Sequence, residues 1–337
     1  MSKYKFSEIK FGIYKTVILS DESNGSRFQI SLTGATPLKF NIPVNGRIFN
    51  ILDSFMSPTE LLEGEGSRCW MMAPFTNRIS DDTYQFNGNK YRMEPNSING
   101  KVIHGFSHLI PFEIYNLEIT DSFIEVTLST TMIRPGIFKG YPFALDLFIK
   151  YKLHDSHLDV KIIAENVGDI PLPYSSGWHP YFKTTDDGIE HLILSLESES
   201  VILLDQNYIP LPGSLAYGSI NDFPQLDFRS SVPPQFRVIS HRKIDHCYDK
   251  IAKDTNGIST AYIYDPDNGL KISLTQKGGV TLVFTGDLLT VRPRKSIAIE
   301  PLQVMTNAFN RSELREAITV LPGQKSTFEF GVIISSS

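Results

Sequence analysis

The feature that most constrains the fold is an alternation of period two. Over residues 143–153 the odd positions are Phe143, Leu145, Leu147, Ile149, Tyr151 and Leu153, whereas the even positions include Asp146, Lys150 and Lys152. Successive side chains of an extended strand point to opposite faces, so this segment reads as a long strand with one face in a core. Residues 158–162 alternate in the same way, and His154, Asp155, Ser156 and His157 between them read as a turn, which predicts an antiparallel hairpin. Short runs rich in Val, Ile, Leu and Phe recur at 123–128, 192–196, 271–274, 280–284, 296–299 and 328–334, each bounded by Gly, Asn, Asp or Pro. No helical segments of about 10–15 residues lie between them, which argues against a βαβ architecture. The pattern predicts an all-β chain, read as one β-sandwich-type domain spanning 1–337. Short helices are expected only at 57–62 and 312–318, the second with Ser312 as N-cap. The Pro-rich stretch 208–234 reads as a long surface excursion.

Composition narrows the function classes. A chain of 337 residues with 41% hydrophobic and 20% charged residues buries roughly three quarters of its unfolded surface, so its fold needs no metal or disulfide staple. The net charge of −5 and the lack of a basic block argue against nucleic acid and anionic membrane as partners. Cys69 and Cys247 are far apart and form no CxxC motif, which suits a reducing compartment. Residues 1–21 show no signal-peptide core, and no apolar run approaches the ~20 residues of a membrane span, so a cytoplasmic location is expected.

Strong nucleotide, zinc-protease and nucleophile-elbow signatures are absent: there is no GxxxxGK[ST], no GxGxxG after a strand, no HExxH and no GxSxG. His104 and His108 are four apart, but Gly105 and Pro111 oppose a helix presenting both. His241, His246 and Cys247 match no standard zinc spacing. Four segments do stand out: Ala73-Pro-Phe-Thr-Asn-Arg-Ile79, Lys101-Val-Ile-His-Gly-Phe106, Ser175-Ser-Gly-Trp-His-Pro-Tyr-Phe182 and Ser296-Ile-Ala-Ile-Glu-Pro-Leu-Gln303. Each sets one polar or titratable side chain (Arg78, His104, His179, Glu300) among aromatic, Gly and Pro residues. Glu300 falls at the end of a predicted core strand, where an unpartnered carboxylate costs several kcal/mol, so it needs a partner or a task. Trp178, Tyr181 and Phe182 offer apolar faces that suit the C–H face of a sugar ring. Each side chain also has an ordinary structural use. Arg78 would bind loop carbonyls, His104 would cap a turn, His179 would bond backbone in the core, and Glu300 would balance Arg292 or Arg294.

In this order, Asn77-Arg78-Ile79, Ile103-His104-Gly105, His179-Pro180-Tyr181-Phe182, Asp245-His246-Cys247-Tyr248 and Ile299-Glu300-Pro301 resemble the motifs of the aldose 1-epimerase (galactose mutarotase) family, and the likeness extends over about residues 15–334. The resemblance implies a large antiparallel β-sandwich with an open groove for a small sugar, no cofactor, and a monomer or homodimer. It implies interconversion of the α and β anomers of a free aldose. Glu300 would be the general base at the C1 hydroxyl and His179 the general acid at the ring oxygen O5, with His104 as a further catalytic group. Arg78, Asp245, Asn77, Trp178 and Tyr181 would contact the sugar. Phe106 stands where the family has a second Gly after the His, and Pro301-Leu302-Gln303 replaces a longer motif after the Glu, so a different sugar pocket is expected. A sugar-binding module without catalysis, or a hexose-6-phosphate mutarotase, are the alternative readings.

Overall fold

The computed structural model describes residues 3–44, 46–96 and 100–336. The alternating segment forms strand Leu145–His154, paired antiparallel with His157–Asn166 from Leu145↔Asn166 to His154↔His157. Only Asp155 and Ser156 remain to turn the chain, and both have positive φ (46° and 65°), the backbone of a two-residue hairpin turn whose twist matches that of the strands. Leu145, Leu147, Ile149, Tyr151 and Leu153 are all fully buried, as the period predicts. Burying each such side chain contributes about 1.5–3 kcal/mol.

Three antiparallel sheets carry most of the chain, beside two-stranded pairings of Leu172–Pro173 with Thr319–Val320 and of Thr83–Phe86 with Asn89–Arg92. An N-terminal meander runs in sequence order through Tyr4–Phe11, Tyr14–Asp21, Ser26–Ser31, Pro37–Val44 and Arg47–Asn50. The largest continuous sheet is ordered Ile193–Leu196, Ile258–Tyr264, Leu270–Lys277, Lys325–Ser336, His157–Asn166, Leu145–His154, Ile124–Ile133, Glu113–Ile119. A third sheet, termed here the site sheet, is ordered Tyr217–Ser219, Ser198–Ile202, Asp245–Ile251, Val280–Phe284, Ile297–Leu302, Gly177–Trp178, Met71–Met72, and Tyr181–Phe182 also pairs with Ile297–Leu302. One apolar cluster runs through all three sheets. Trp178 of the site sheet stacks on Phe330 of the largest sheet at 5.8 Å, and Tyr151 of that sheet packs against Phe28 of the meander at 5.3 Å. The fold is all-β, as the alternation predicts, and it is the antiparallel sandwich that the resemblance implies.

The short helix expected at 57–62 is present, and two other local expectations change. Helix Pro58–Glu63 is capped by Ser57, whose Oγ accepts from the Glu60 N–H at 3.1 Å. Ser312 is not an N-cap: it opens a 3₁₀ turn, Ser312–Leu314, that runs into Arg315–Ile318, and neither segment has a side-chain cap. The stretch 208–234 is not a bare surface excursion. It contributes the edge strand Tyr217–Ser219 and buries Ala216, Ile220, Leu226 and Phe228, because a segment this apolar gains more by packing than by solvation. No helix among the described residues is long and apolar enough to cross a membrane.

Candidate active site

Strand pairing sets the reacting geometry. Gly177–Trp178 and Tyr181–Phe182 both pair with Ile297–Leu302, through Gly177↔Leu302 and Tyr181↔Ala298. The same register places His179, midway between them, opposite Glu300. His179 Nε2 lies 3.3 Å from Glu300 Oε1. The backbone holds His179 from both sides, its N–H donating to the Trp70 carbonyl and its carbonyl accepting from the Cys69 N–H. On the other flank, Asp245 pairs with Phe284 and Cys247 with Leu282, while Leu282 pairs with Glu300. Residues two apart share a face, so Asp245, Phe284, Leu282 and Glu300 all point into one cleft. That cleft has a volume of about 710 Å³ and is lined by Asn77, Arg78, His104, His179, Tyr181, Asp245 and Glu300, with Tyr208, Trp70 and Leu288–Val291 among its walls.

Two long loops bring in the remaining groups. Arg78 bridges Ile103, and Ala73 bridges Gly105 in parallel fashion, which sets the 77–79 loop beside the 103–105 loop. His104 donates its N–H to the Asn77 carbonyl at 2.9 Å, and its Nδ1 accepts from the Asn77 N–H at 3.3 Å. Nδ1 is therefore unprotonated, which leaves the proton of neutral His104 on Nε2. The His104 ring meets that of His179 edge-on at 5.1 Å. Asn77 Oδ1 accepts from the Arg78 N–H and from Arg78 Nη1 at 2.9 and 3.1 Å, which fixes the guanidinium at the cleft. Gly105 adopts φ +67°, and a Cβ there would lie 2.0 Å from the Ala73 carbonyl oxygen. Gly105→Ala is expected to unseat His104 and to cost at least about 2–3 kcal/mol of stability; a urea melt within 0.5 kcal/mol of wild type would contradict this.

Electrostatics favour neutral forms in the empty cleft. Glu300 is 1% exposed, and burial, reinforced by the nearby Asp245 carboxylate, pushes its carboxyl well above the usual range, with Arg78 opposing. Burial likewise raises Asp245 against the pull of Arg78. It lowers His179 to about 3, and it lowers His104 well below the ordinary imidazole value, with His179 and Arg78 adding repulsion. The His179–Glu300 contact is thus a pair that shares one proton and not a resting ion pair. Two buried polar atoms of the pair, His179 Nδ1 and Glu300 Oε2, have no hydrogen-bond partner, an arrangement that is rare in a purely structural core.

The ordinary structural use of Glu300 is excluded, whereas that of His104 is met in part, since its Nδ1 accepts from the Asn77 N–H. Arg292 is committed to Asp53 and Glu60, and Arg294 to Glu190 and Asp287, so neither balances Glu300. Glu300 also lies inside strand Ile297–Leu302 and not at its end, since pairing continues through Pro301↔Thr281. Phe182, 0% exposed and outside the cleft lining, offers the sugar no face, and Trp178 fails as a sugar contact as well. It is 0% exposed, stacks on Phe330 and donates Nε1–H to the Cys69 carbonyl, because alternation turns it to the core face when His179 faces the cleft. Tyr181 lines the cleft from behind, buried, with its hydroxyl donating to the Gly66 carbonyl and its ring stacked on His179 at 4.9 Å. Phe106 does not narrow the cleft either: it is buried against Phe138 and Tyr141.

The sequence reading missed Tyr208 and the buried network of Asp53, Arg68, Arg292 and Glu60 that supports one wall. No local signal marked them, since Asp53 and Arg292 are brought together only by the fold. Among the described residues, His191, Asp265 and Asp267 have ligand-type atoms within 4.8 Å of one another, but they sit apart from the cleft lining.

The aldose 1-epimerase family profile matches residues 15–332. The chain is 28% identical to the uncharacterised protein YihR of Escherichia coli over 242 residues, 71% of each chain. The galactose mutarotase-like protein of Clostridium acetobutylicum superposes with a TM-score of 0.80 at 16% identity, covering 99% of both chains. The galactose 1-epimerase of Lactobacillus acidophilus gives 0.79 at 16% identity over 100% of both.

Proposed function

Because the chain belongs to the aldose 1-epimerase family, we propose that it is a mutarotase, equilibrating the α and β anomers of a free aldose by acid–base ring opening. The observation that carries this reading is the His179–Glu300 pair, 3.3 Å apart in an open cleft with an unpartnered polar atom on each residue. O1 and O5 of a cyclic sugar are bonded to the same carbon, so two groups this close reach one oxygen each. The proton that the pair shares passes from Glu300 to His179, and Glu300 then takes the O1 proton as the C1–O1 double bond forms. The C1–O5 bond breaks, and O5 takes a proton from His179. Rotation about C1–C2 presents the other face of the aldehyde. Closure then returns the O5 proton to His179 and the Glu300 proton to O1, so nothing is consumed. His104, through Nε2–H, and Arg78 donate to the reacting oxygens, while Asp245 accepts from sugar hydroxyls.

Polarimetry of freshly dissolved sugars, or magnetisation exchange between anomers, tests the reading. Wild type accelerates equilibration, and His179→Asn loses ~10²–10⁴-fold while remaining folded. Binding without acceleration would instead mark a sugar-binding module.

The pH dependence follows from the shared proton. Activity needs one proton on the pair: loss of it, set by the raised Glu300, ends the plateau on the alkaline side. Gain of a second, set by His179 at about 3, ends it on the acid side. On its acid side, background-corrected kcat/KM is therefore expected to show no inflection near the ordinary imidazole value of about 6.5. An inflection there that His179→Asn abolishes would refute the assignment.

A further inference from the structure

Tyr208 lines the cleft but takes no part in the proton transfers. It sits at the tip of a small excursion closed by the Leu204–Pro210 bridge. Asp205 builds that tip. Its Oδ1 accepts from the N–H groups of Asn207 and Ile209 at 2.8 and 3.0 Å, and its own N–H donates to the Ile209 carbonyl at 2.8 Å. The base of the excursion is tied down by the buried guanidinium of Arg311, which donates to the Leu211 and Gly213 carbonyls at 2.9 Å each. Within this frame Tyr208 adopts φ +61°, in the left-handed region that costs a bulky residue energy and persists only where the surroundings enforce it. The result is an aromatic ring 41% exposed at the cleft, in contrast to the buried Trp70 and Tyr181. The Arg78 guanidinium carbon lies 5.2 Å from the ring centroid. An accessible aromatic face beside a fixed guanidinium matches the two surfaces of a pyranose, an apolar C–H face and a rim of hydroxyls.

We propose that Tyr208 is the platform on which the sugar ring stacks, with Arg78 held against it to reach the hydroxyl rim, so that Tyr208 sets sugar affinity and preference. The role that the sequence suggests for Trp178 thus passes to Tyr208, which lines the cleft. This inference rests on the mutarotase reading for the identity of its ligand, and its test separates the two. Tyr208→Leu fills the space without an aromatic face, whereas Tyr208→Phe retains the ring. Calorimetry and polarimetry over a panel of free hexoses and pentoses are expected to show KM and Kd rising about five- to tenfold in Tyr208→Leu, with kcat within about twofold of wild type, and Tyr208→Phe indistinguishable from wild type. A Leu variant that binds as tightly as wild type overturns the proposal, as does one that loses kcat at unchanged KM. If wild type binds sugars without accelerating their equilibration, the mutarotase reading falls and the comparison of Kd values still decides the platform. If wild type binds no sugar of the panel, both fall.

Discussion

Glu300→Gln is expected to slow anomer equilibration by ~10²–10⁴-fold and at the same time to make the protein more stable. The amide keeps the shape and one acceptor oxygen but cannot take the O1 proton. The gain in stability comes from burial. In wild type a carboxyl that is 1% exposed and faces Asp245 binds its proton far more tightly when folded than when unfolded. A folded pKa raised in this way contributes stability that is fully present below the unfolded value of about 4.3 and is lost as pH rises through the folded pKa. Glutamine has no such dependence. The melting temperature of Glu300→Gln should therefore exceed that of wild type by a margin that widens as pH is raised from acid through neutral. Paired thermal melts over that range check the sign. A margin that is constant with pH, or one that narrows, would show that Glu300 is not held protonated by its surroundings.

The second large effect lies behind the cleft wall. Asp53 and Arg68 are each 2% exposed and joined at 2.6 Å, and Asp53 also accepts from Arg292 Nε at 2.9 Å and Ser296 Oγ at 2.7 Å. Arg68 reaches onward to the Val291 carbonyl at 2.7 Å and lies over the Tyr181 ring at 4.9 Å. On the same segment, Glu65 accepts from the Thr290 and Val291 N–H groups at 2.7 and 3.1 Å. Removing one partner of a buried ion pair leaves the other charge desolvated, so Asp53→Ala is expected to destabilise by ~3–5 kcal/mol. Adding Arg68→Met should restore a substantial part of that loss, because the stranded charge is then gone. Urea melts of both variants read this directly. A loss under about 1 kcal/mol for Asp53→Ala, or no recovery in the double variant, would contradict the account.

Much of this was legible in the sequence where a side chain's environment is decided locally. The 143–153 alternation fixed its own strand, face and hairpin, because the odd residues are apolar while Asp146, Lys150 and Lys152 at even positions tolerate water. His179 and Glu300 stood out because a polar side chain amid Trp, Tyr, Phe and Ile is anomalous wherever it lies. The N-terminal meander went unread: Tyr4–Phe11 is an edge strand with few buried residues, and Tyr14–Asp21 buries adjacent residues on both faces, so neither keeps a clean period of two. Trp178 was misplaced for the converse reason. Aromatic character announces burial or binding equally, and only the register of Gly177–Trp178 against Ile297–Leu302 decides which side of the sheet it takes. Tyr208 and Asp53 acquire their meaning from partners far away in the chain, Arg78 for the first and Arg292 for the second.

The pairing that sets His179 against Glu300 has a bearing on how such a protein can diversify. A slip of one residue along Ile297–Leu302 would send the carboxylate into the sandwich and bring out Ile299, which is now fully buried. Insertions and deletions are thus barred from these strands, whereas loops 203–213 and 286–295 answer to their anchors at Arg311 and Arg292 and not to a strand register. Lineages descended from such an ancestor would inherit the reaction unchanged and vary in appetite, each remodelling the rim for a different sugar around an invariant centre.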